Sequence, residues 1–469
     1  MFGIAHRADR PFLCIVAATA CVGGCVEEEV PMPEGTTGDG ANWSALYGPG
    51  IGVEEMEVMR PTASGVIVGG FSDGFADEDG DGWLVEIDPA GKILSQGTLG
   101  GDGEEMILDL AVLPDGDLVG TGWTKGAGAG GYDVWVFRLA PDRSVRWSYA
   151  YGGAGAEQGW SLAVTAAGEF VVAGGSTSFG SGDSDLWVLA LDDSGMPRWQ
   201  ATYGGPEDDA GSGDFEEFTA RVMEDAAGDL LVVTETLSYG AGDADVWVLK
   251  LDGDGTVLWQ NAYGGADEDT VWSATILADG NLLAPAVTSS FSPDGSGDPW
   301  WLVVDGDGNP LVQRVLGLPG VYDEPITAVA LDDGGGLLGV SAYPDNGAWQ
   351  DLLVRVDPAG NPTWARRYEM GWSWTNALVA HDGGDVSVAG VYWGGDPQPD
   401  LMDLWVMRVD PAGGLSACDR IEDVALQTAD AGATVTPTSA SPMTTQVAPV
   451  EAPVTFEPTN DRPRYYCGP

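Results

Sequence analysis

A repeated phrase constrains the fold of this chain more than any other feature of its sequence. The clearest copy occupies residues 242–265, where alternating bulky apolar residues lead into the turn Gly253–Gly255 and a second apolar run ends at Tyr263. β-Branched and aromatic residues on both sides of an Asp/Gly turn are typical of a β-hairpin. Closely similar phrases occupy residues 183–205 and 403–414. The chain is therefore built from repeated hairpin units, which limits it to folds that repeat.

The copies recur at an almost constant spacing. The closing Tyr position is 52 residues from the next in four intervals, 53 in one, and 60 in the interval that contains the acidic insert Pro206–Glu217. Seven strand-rich, Gly-punctuated copies of this length predict an all-β fold, a seven-bladed β-propeller of four-stranded blades over residues 42–418. The seven closing positions are Tyr47, Leu99, Tyr151, Tyr203, Tyr263, Leu316 and Tyr368.

Each unit divides into four predicted strands, which the fifth unit shows most plainly. They are Val271–Leu277 as the inner strand, Asn281–Thr288 as the second, Trp300–Val304 as the third and Leu311–Leu316 as the outer one. The turns after the inner and third strands are short, whereas the other two connections are longer and acidic. Strand alternation places the long loops on one face, where the functional loops of a rigid β scaffold usually lie.

The number of outer strands predicts how the ring closes. There are seven sets of inner, second and third strands but eight candidates for an outer strand, from Asn42–Tyr47 to Leu415–Cys418. The last candidate has lost the Trp and Tyr of the repeat, while the first keeps both. We therefore expect the N-terminal strand to complete the seventh blade, because this arrangement removes the open sheet edges.

Charge limits the partners of the protein. The chain of 469 residues carries 73 acidic and 19 basic side chains, a formal charge of −54. Phosphate groups would be repelled, which argues against nucleic acids and anionic membranes as direct ligands. The acidity favours solubility, cation binding or life in high salt. The repeat predicts one domain with tails: a signal over 1–25, a disordered tether over 26–41, the propeller, and a C-terminal tail over 419–469.

The first 25 residues have the pattern of an export signal. Arg7 and Arg10 precede an apolar run over residues 11–22 that is too short to span a bilayer. The end of this run resembles the lipobox of bacterial lipoproteins, which implies lipidation of Cys25; Cys21 is an alternative, and so is cleavage after Ala20 to give a secreted protein. We expect a cell-envelope location, either as an outer-membrane lipoprotein or as an extracellular protein. Any contact with the membrane would be through the lipid anchor alone.

The repeat, D-x-W-V-x-K-L-D-x-x-G-x-x-x-W-x-x-x-Y-G-G, resembles that of the SBBP-type seven-bladed β-propeller repeat proteins of bacterial and archaeal surfaces. The resemblance covers residues 42–418, and units one, two and six depart from it: the run Gln96–Leu99 lacks the Trp and Tyr, Ala140 replaces an Asp and Leu352 replaces a Trp. It implies the propeller fold and a surface location, and it supplies no catalytic residue. We expect a monomer with an unknown protein or glycan of the cell envelope as its partner.

Enzyme chemistry has little support in the sequence. His381 is the sole His outside the signal and lies beside a short turn, so general-base, zinc and Ser-His-Asp chemistry are disfavoured. The Trp motif is also similar to that of quinoprotein dehydrogenases, but no set of quinone ligands accompanies it. We predict a binding or scaffold module, with a hydrolase or dehydrogenase acting at the channel as the alternative. Paired acids on the inner strands near the axis would favour the enzyme. A channel lined with Gly, Ala and Ser would favour the scaffold.

The recurring Trp residues allow two interpretations. They occupy the same place in their repeats, which predicts packing between blades; the alternative is a surface on which carbohydrate stacks. The residues are Trp83, Trp135, Trp187, Trp247, Trp300 and Trp405.

One acidic run has the spacing of a calcium loop. Asp77, Asp79 and Asp81 alternate before Gly82, and alternating oxygens of this kind converge on Ca²⁺ in known loops. The run Trp83–Asp88 is predicted to be a strand, however, so an ordinary acidic hairpin is the competing interpretation. No other cofactor is expected.

Composition changes after the last unit. The segment Thr428–Pro458 is rich in Thr, Ser, Pro and Ala, which predicts an extended, poorly packed chain. Cys418 and Cys467 are natural disulfide partners in an exported protein. The adjacent Tyr465 and Tyr466 favour a terminus docked on a blade, and a disordered tail with a spare thiol is the alternative.

Overall fold

The structure is a computed structural model that describes residues 42–49, 52–75, 80–210, 220–343, 350–368, 372–393, 402–415, 421–460 and 462–467. Its regular secondary structure over these ranges is entirely β. Within them, no helix is long and apolar enough to cross a membrane. The predicted all-β, seven-bladed propeller is confirmed.

The strands follow one another around the ring in chain order. The first is β1 (Trp43–Tyr47). Blade 1 then has β2 (Glu54–Thr62), β3 (Gly65–Ser72), β4 (Asp81–Ile87) and β5 (Ile93–Gly100); blade 2 has β6 (Glu105–Val112), β7 (Leu118–Thr124), β8 (Asp133–Leu139) and β9 (Val145–Tyr151); blade 3 has β10 (Glu157–Val164), β11 (Phe170–Ser176), β12 (Asp185–Leu191) and β13 (Pro197–Tyr203); blade 4 has β14 (Arg221–Glu224), β15 (Leu230–Thr236), β16 (Asp245–Leu251) and β17 (Val257–Gly264).

The remaining blades repeat this order. Blade 5 has β18 (Asp269–Val271), β19 (Thr275–Ile276), β20 (Leu282–Thr288), β21 (Asp298–Val304) and β22 (Pro310–Gly317); blade 6 has β23 (Tyr322–Ala330), β24 (Gly336–Tyr343), β25 (Gln350–Val356) and β26 (Pro362–Tyr368); blade 7 has β27 (Trp372–Ala380), β28 (Val386–Trp393) and β29 (Met402–Val409). The four predicted strands of the fifth unit are present, except that its inner strand is split into β18 and β19.

The N-terminal strand closes the ring as predicted. Strand β1 pairs antiparallel with β29, with Trp43 opposite Arg408 and Tyr47 opposite Leu404. All five residues of β1 are buried. The Tyr47 hydroxyl donates a hydrogen bond of 2.8 Å to the Gly91 carbonyl in blade 1, so the strand also joins the seventh blade to the first.

Deleting residues 42–48 should therefore open the ring. We expect a fall in melting temperature of several degrees or more, with aggregation, because the deletion uncovers the edge of β29 and removes two large buried aromatic side chains. Circular dichroism melting and gel filtration measure both effects. A deletion of equal length in the tether, residues 27–33, is the matched control. A protein lacking 42–48 that melts and elutes like this control would contradict closure by β1.

The C-terminal tail adds a fifth strand to every blade, so each blade has one strand more than predicted. The tail passes round the ring in the direction opposite to the blades, and we call residues 421–467 the belt. Its strands are β30 (Ile421–Asp423) on blade 6, β31 (Gln427–Asp430) on blade 5, β32 (Thr434–Pro437) on blade 4, β33 (Met443–Thr444) on blade 3, β34 (Val450–Glu451) on blade 2, β35 (Thr455–Pro458) on blade 1 and β36 (Arg464–Cys467) beside β1 on blade 7.

The belt has a period of seven residues, one period for each blade. At each step a belt N–H donates to a carbonyl of an outer strand. The prediction of an extended tail is correct, but the prediction that it is poorly packed is wrong, because the tail is held by backbone hydrogen bonds along its whole path. These bonds join Val424 to Ala365, Ala431 to Gln313, Thr438 to Gln260, Thr445 to Gln200, Ala452 to Ser148 and Thr459 to Gln96.

Neighbouring blades are joined by the aromatic residues of the repeat. The Tyr203 hydroxyl donates to the Gly255 carbonyl at 2.6 Å, and the Trp199 indole N–H donates to the Gly253 carbonyl at 2.9 Å. Both carbonyls lie in the Asp/Gly turn of the next blade. Gly255 has φ of +83°, and a Cβ there would lie 2.8 Å from the Trp199 ring. The repeated phrase therefore specifies contact between blades as well as the hairpin itself.

Candidate functional site

The predicted calcium loop lies mostly outside the described residues. Asp77 and Asp79 are not described, while Asp81 is the first residue of β4 and pairs with Ser72. In the described part of the chain, no three His, Cys, Asp or Glu side chains come together as metal ligands. A Ca²⁺ ion in this loop stays a prediction, and the structure gives Asp81 a different neighbour.

Buried acids face each other across the junctions between blades. An Asp is the first or second residue of each third strand. An acid is the first or second residue of the next blade's inner strand or, for Asp209, lies in an isolated bridge ahead of that strand; at the junction of blades 6 and 7 no acid occupies this position. Both positions lie on the long-loop face. The pairs are Asp81 with Glu105, Asp133 with Glu157, Asp185 with Asp209, Asp245 with Asp269, Asp298 with Asp323 and Asp403 with Glu54.

The first Gly of the Tyr-Gly-Gly phrase makes room for each pair. A Cβ on Gly204 would collide with Asp185 Oδ1 and would lie 3.0 Å from Asp209 Oδ2. The N–H of Gly205 donates to Asp209 Oδ2 at 2.6 Å, and the Thr236 hydroxyl donates to Asp209 Oδ1. Each copy of the phrase thus positions the inner-strand acid of the following blade.

Burial changes the ionisation of these carboxyl groups. It raises the pKa of Asp185 and of Asp245 to about 6, with a smaller contribution from the facing acid. It raises the pKa of Glu105 and of Asp298 to about 6 as well. For Asp323 burial, together with Asp298 and Asp294, outweighs a backbone hydrogen bond and raises the pKa to about 8. The junctions are therefore sensitive to pH near neutrality.

Two junctions stabilise a buried carboxylate with other groups of the protein. Between blades 6 and 7 the second acid is replaced, and Asp351 accepts hydrogen bonds from the hydroxyls of Ser373 and Thr375. Between blades 7 and 1, the Arg464 guanidinium from the belt lies 2.7 Å from Asp403. These are the junctions beside the closure of the ring.

A second candidate site is the cavity on the axis of the ring. It has a volume of about 520 Å³ and is lined by the inner strands of all seven blades. Apolar side chains, Ser and Thr alternate there with a few charged groups, so the lining is neither the Gly, Ala and Ser surface nor the simple acid pair considered above. A cavity of this size is large enough for a ligand the size of a sugar.

Two arginines enter the cavity with different partners. Arg60 forms a salt bridge with Asp109, whose Oδ2 also accepts the N–H of Leu162 at 2.8 Å. Arg221 donates to the carbonyls of Ala220 and Trp160, at 3.0 and 3.4 Å. Among the described residues, no carboxylate lies within salt-bridge distance of Arg221. Burial lowers the pKa of its guanidinium, and nearby Asp109 offsets part of this effect.

The Asn376 amide, which also lines the cavity, has an oxygen without a hydrogen bond. The Asn376 side chain is 8% exposed; its Nδ2 donates to the Met56 carbonyl at 2.5 Å, and its Oδ1 is buried without a hydrogen-bond partner among the described residues. Buried polar atoms without partners are uncommon and often mark a place for water or a ligand. The cavity therefore offers a cation and a hydrogen-bond acceptor to the same ligand.

Other candidates from the sequence have structural positions. The six recurring Trp residues are at most 1% exposed, which confirms packing and excludes stacking of carbohydrate on them; the indoles of Trp187 and Trp247 donate to Thr445 and Thr438 of the belt. His381 shares a hydrogen bond of 2.8 Å with Ser387 outside both sites. Cys21, Cys25 and Cys418 lie outside the described residues, so lipidation and the bond between Cys418 and Cys467 stay predictions.

Sequence reasoning missed the junction pairs and the cavity residues. The Asp that begins each third strand is visible in the repeat, but its partner lies about one half-unit later and reaches it only through the ring. Arg221 follows the acidic insert, which interrupts the period of the repeat. No equivalent residue in another unit therefore drew attention to it. The recurring acid after each Tyr-Gly-Gly was the signal that could have revealed the pairs.

The fold and junctions together define a seven-bladed β-propeller with five-stranded blades. No protein-family model and no curated protein matches the sequence. Solved structures with a similar fold include a Bacteroides caccae protein of unknown function (15% identity, TM-score 0.35, 65% of this chain and 93% of that one), the polysaccharide lyase Uly1 (9%, 0.43, 78% and 91%), and the family 43 glycoside hydrolase YxiA from Bacillus licheniformis (10%, 0.27, 64% and 96%). Similarity at this level carries no argument about function.

Proposed function

We propose that this protein is an exported binding module of the cell envelope, whose axial cavity takes a small hydroxylated carboxylate such as a uronic acid. The observation that carries the proposal is Arg221, a guanidinium at the axis with no salt-bridge partner among the described residues, in a chain of charge −54. Acidic side chains outnumber basic ones nearly four to one, and most of the described arginines form a salt bridge with one of them. A bound carboxylate would supply the missing partner through charge-assisted hydrogen bonds.

The rest of the cavity fits a ligand that also carries hydroxyl groups. Asn376 Oδ1 can accept a hydrogen bond that the protein leaves unmade. Asp109 is engaged by Arg60 and by backbone N–H groups, and the acid pairs lie at the blade junctions rather than at the axis. Glu57 and Glu224 also line the cavity, and Glu224 accepts the Ala166 N–H at 2.6 Å. The unpaired cation beside a hydrogen-bond acceptor is a set of recognition groups, and for that reason we propose binding rather than the enzyme alternative.

Envelope location completes the proposal. The lipobox-like end of the signal supports lipidation at Cys25, with Cys21 as the alternative, and the tether over 26–41 would hold the propeller away from the membrane. A glycan or protein of the envelope that displays carboxylate groups is then within reach of the cavity. Mass spectrometry of the N-terminal peptide distinguishes the two cysteines from simple secretion.

Calorimetric titration of the exported protein with D-glucuronate tests the cavity. We expect binding that D-glucose does not reproduce and that Arg221→Met weakens by about tenfold or more, because a charge-assisted contact is lost. Arg198→Met, on the outer strand of blade 3, is the control and should bind as the parent does. Equal binding by Arg221→Met and the parent would refute the proposal. Inorganic phosphate in place of glucuronate shows whether the site prefers a carboxylate or any anion.

A further inference from the structure

We propose that the junctions of blades 3/4, 4/5 and 5/6 each bind a Ca²⁺ ion between two buried carboxylates. The pairs are Asp185 with Asp209, Asp245 with Asp269 and Asp298 with Asp323. All six side chains are at most 3% exposed. None of these six residues lines the axial cavity.

Unsatisfied oxygens point into the junctions. One oxygen at each junction is buried and has no hydrogen-bond partner among the described residues: Asp185 Oδ1, Asp245 Oδ1 and Asp323 Oδ1. A Cβ on Gly264 would collide with Asp245 Oδ1 and would lie 2.9 Å from Asp269 Oδ2, so the two acids approach the same point. Two carboxylates that share a dry space are strongly destabilised unless a positive charge or a proton lies between them.

Two of the other four junctions show how this protein can compensate a buried carboxylate. At the junction of blades 7 and 1, Arg464 provides a positive charge beside Asp403. At the junction of blades 6 and 7, the second acid is absent and hydroxyl groups bind Asp351. No lysine or arginine forms a salt bridge with the three proposed pairs among the described residues. A cation from solution would do there what Arg464 does at its own junction.

Calcium fits the donor set better than other metals. The oxygens at each pair are those of carboxylates and hydroxyls, as at Asp209 with Thr236, while the Gly205 N–H donates to the same carboxylate and fixes its position. Hard cations prefer such oxygens, and Mg²⁺ is disfavoured because it keeps several waters that a buried junction has little room for. Each site supplies only two carboxylates, so we expect weak binding, in the range of about 10⁻⁴ to 10⁻³ M that is typical of extracellular calcium modules.

Equilibrium dialysis of the exported protein against ⁴⁵Ca²⁺ tests the proposal, at a pH of about 8 and in about 1 M NaCl to screen the acidic surface. We expect about three ions per chain from these sites. The double variant Asp185→Asn with Asp209→Asn should bind one ion fewer, while the exposed pair Asp183→Asn with Asp193→Asn should bind as many as the parent. The Asn variants remove repulsion without changing shape, and a melting temperature in chelator at or above that of the parent shows that they fold.

Three results would overturn the proposal. The first is no calcium bound under these salt conditions, and the second is the same number of ions bound by the Asp185/Asp209 variant and the parent. The third is a melting temperature that rises on acidification but never responds to calcium, because each pair would then share a proton instead of a metal.

Discussion

Ending the chain after residue 420 is expected to destabilise the propeller more than any single substitution. The truncation removes one strand from each of the seven blades and exposes the backbone edge of every outer strand. It also removes Thr438 and Thr445, which satisfy the buried indoles of Trp247 and Trp187, and Arg464, which lies beside Asp403. Losses at seven edges together amount to on the order of 10 kcal/mol, or a fall of about 10 °C or more in melting temperature.

Point variants separate the belt's side-chain contacts from its backbone pairing. Thr438→Val and Thr445→Val each leave an indole N–H without its acceptor and should cost about 1–2 kcal/mol, well below the truncation. Thr434→Val, at the start of a belt strand and outside these contacts, is the matched control. Thermal and urea unfolding measure the differences. If the truncated chain stayed monomeric and melted with the parent, the belt would not be part of the stable fold.

Raising the pH from about 5 to about 8 in calcium-free buffer is expected to lower stability sharply. Burial raises the pKa of Asp351 to about 7 and that of Asp323 to about 8, above the value of about 4 for an unfolded aspartate. The folded state therefore binds more protons than the unfolded state between these limits. Stability from these groups is complete below about pH 4 and is lost as the pH rises to about 8. Relief of the −54 charge at low pH acts in the same direction.

Asp351→Asn isolates the buried group from this general effect. The amide oxygen can accept from one of the two hydroxyls, of Ser373 and Thr375, and the amide NH₂ can donate to the other, so the variant should gain about 2–4 kcal/mol over the parent at pH 8 and nothing at pH 4. Asp254→Asn, at an exposed turn, removes the same charge and should leave the difference between the two pH values unchanged. Parallel pH dependence for Asp351→Asn and Asp254→Asn would show that surface charge alone explains the result.

The sequence predicted the ring because its repeated phrase encodes contacts between neighbours. A Trp and a Tyr that reach the next Asp/Gly turn, as Trp199 and Tyr203 do with Gly253 and Gly255, must recur at the blade spacing. Closure by Asn42–Tyr47 was predicted for the same reason, since that segment keeps the Trp and Tyr that the last unit lacks. The order of the strands, the placement of long and short loops on opposite faces and the closure of the ring all follow from this one pattern.

The belt was beyond the same reasoning because its own period is weakly marked. The positions from Val424 to Thr459 recur every seven residues, but Val, Ala and Thr alternate there and all bond through the backbone, which any residue except Pro can do. A composition rich in Thr and Pro therefore predicted an extended tail, but it did not predict that the tail pairs with the outer strands of the blades. The outer edges of the blades, left open by a four-stranded scheme, were the clue that something covers them.

The candidate sites depend on geometry that the sequence leaves open. Asp185 and Asp209 belong to different blades and meet only because the ring brings the blades together. Arg221 and Asn376 lie far apart in the chain and share a cavity because inner strands converge on the axis. The charge composition predicted an affinity for cations. The anion site proposed at the axis depends on Arg221, which is one of 19 basic residues and is not marked by any pattern in the sequence.

Anomalous diffraction from crystals of the exported protein soaked in sodium selenate tests ligand binding at the axis most directly. Selenate is an oxyanion whose selenium can be located without assumptions about the ligand. We expect a selenium peak in the axial cavity, within hydrogen-bond distance of the Arg221 guanidinium, and its loss in Arg221→Met crystals. Selenium peaks confined to the outer surface, with ordered water at Arg221, would contradict the proposed binding site.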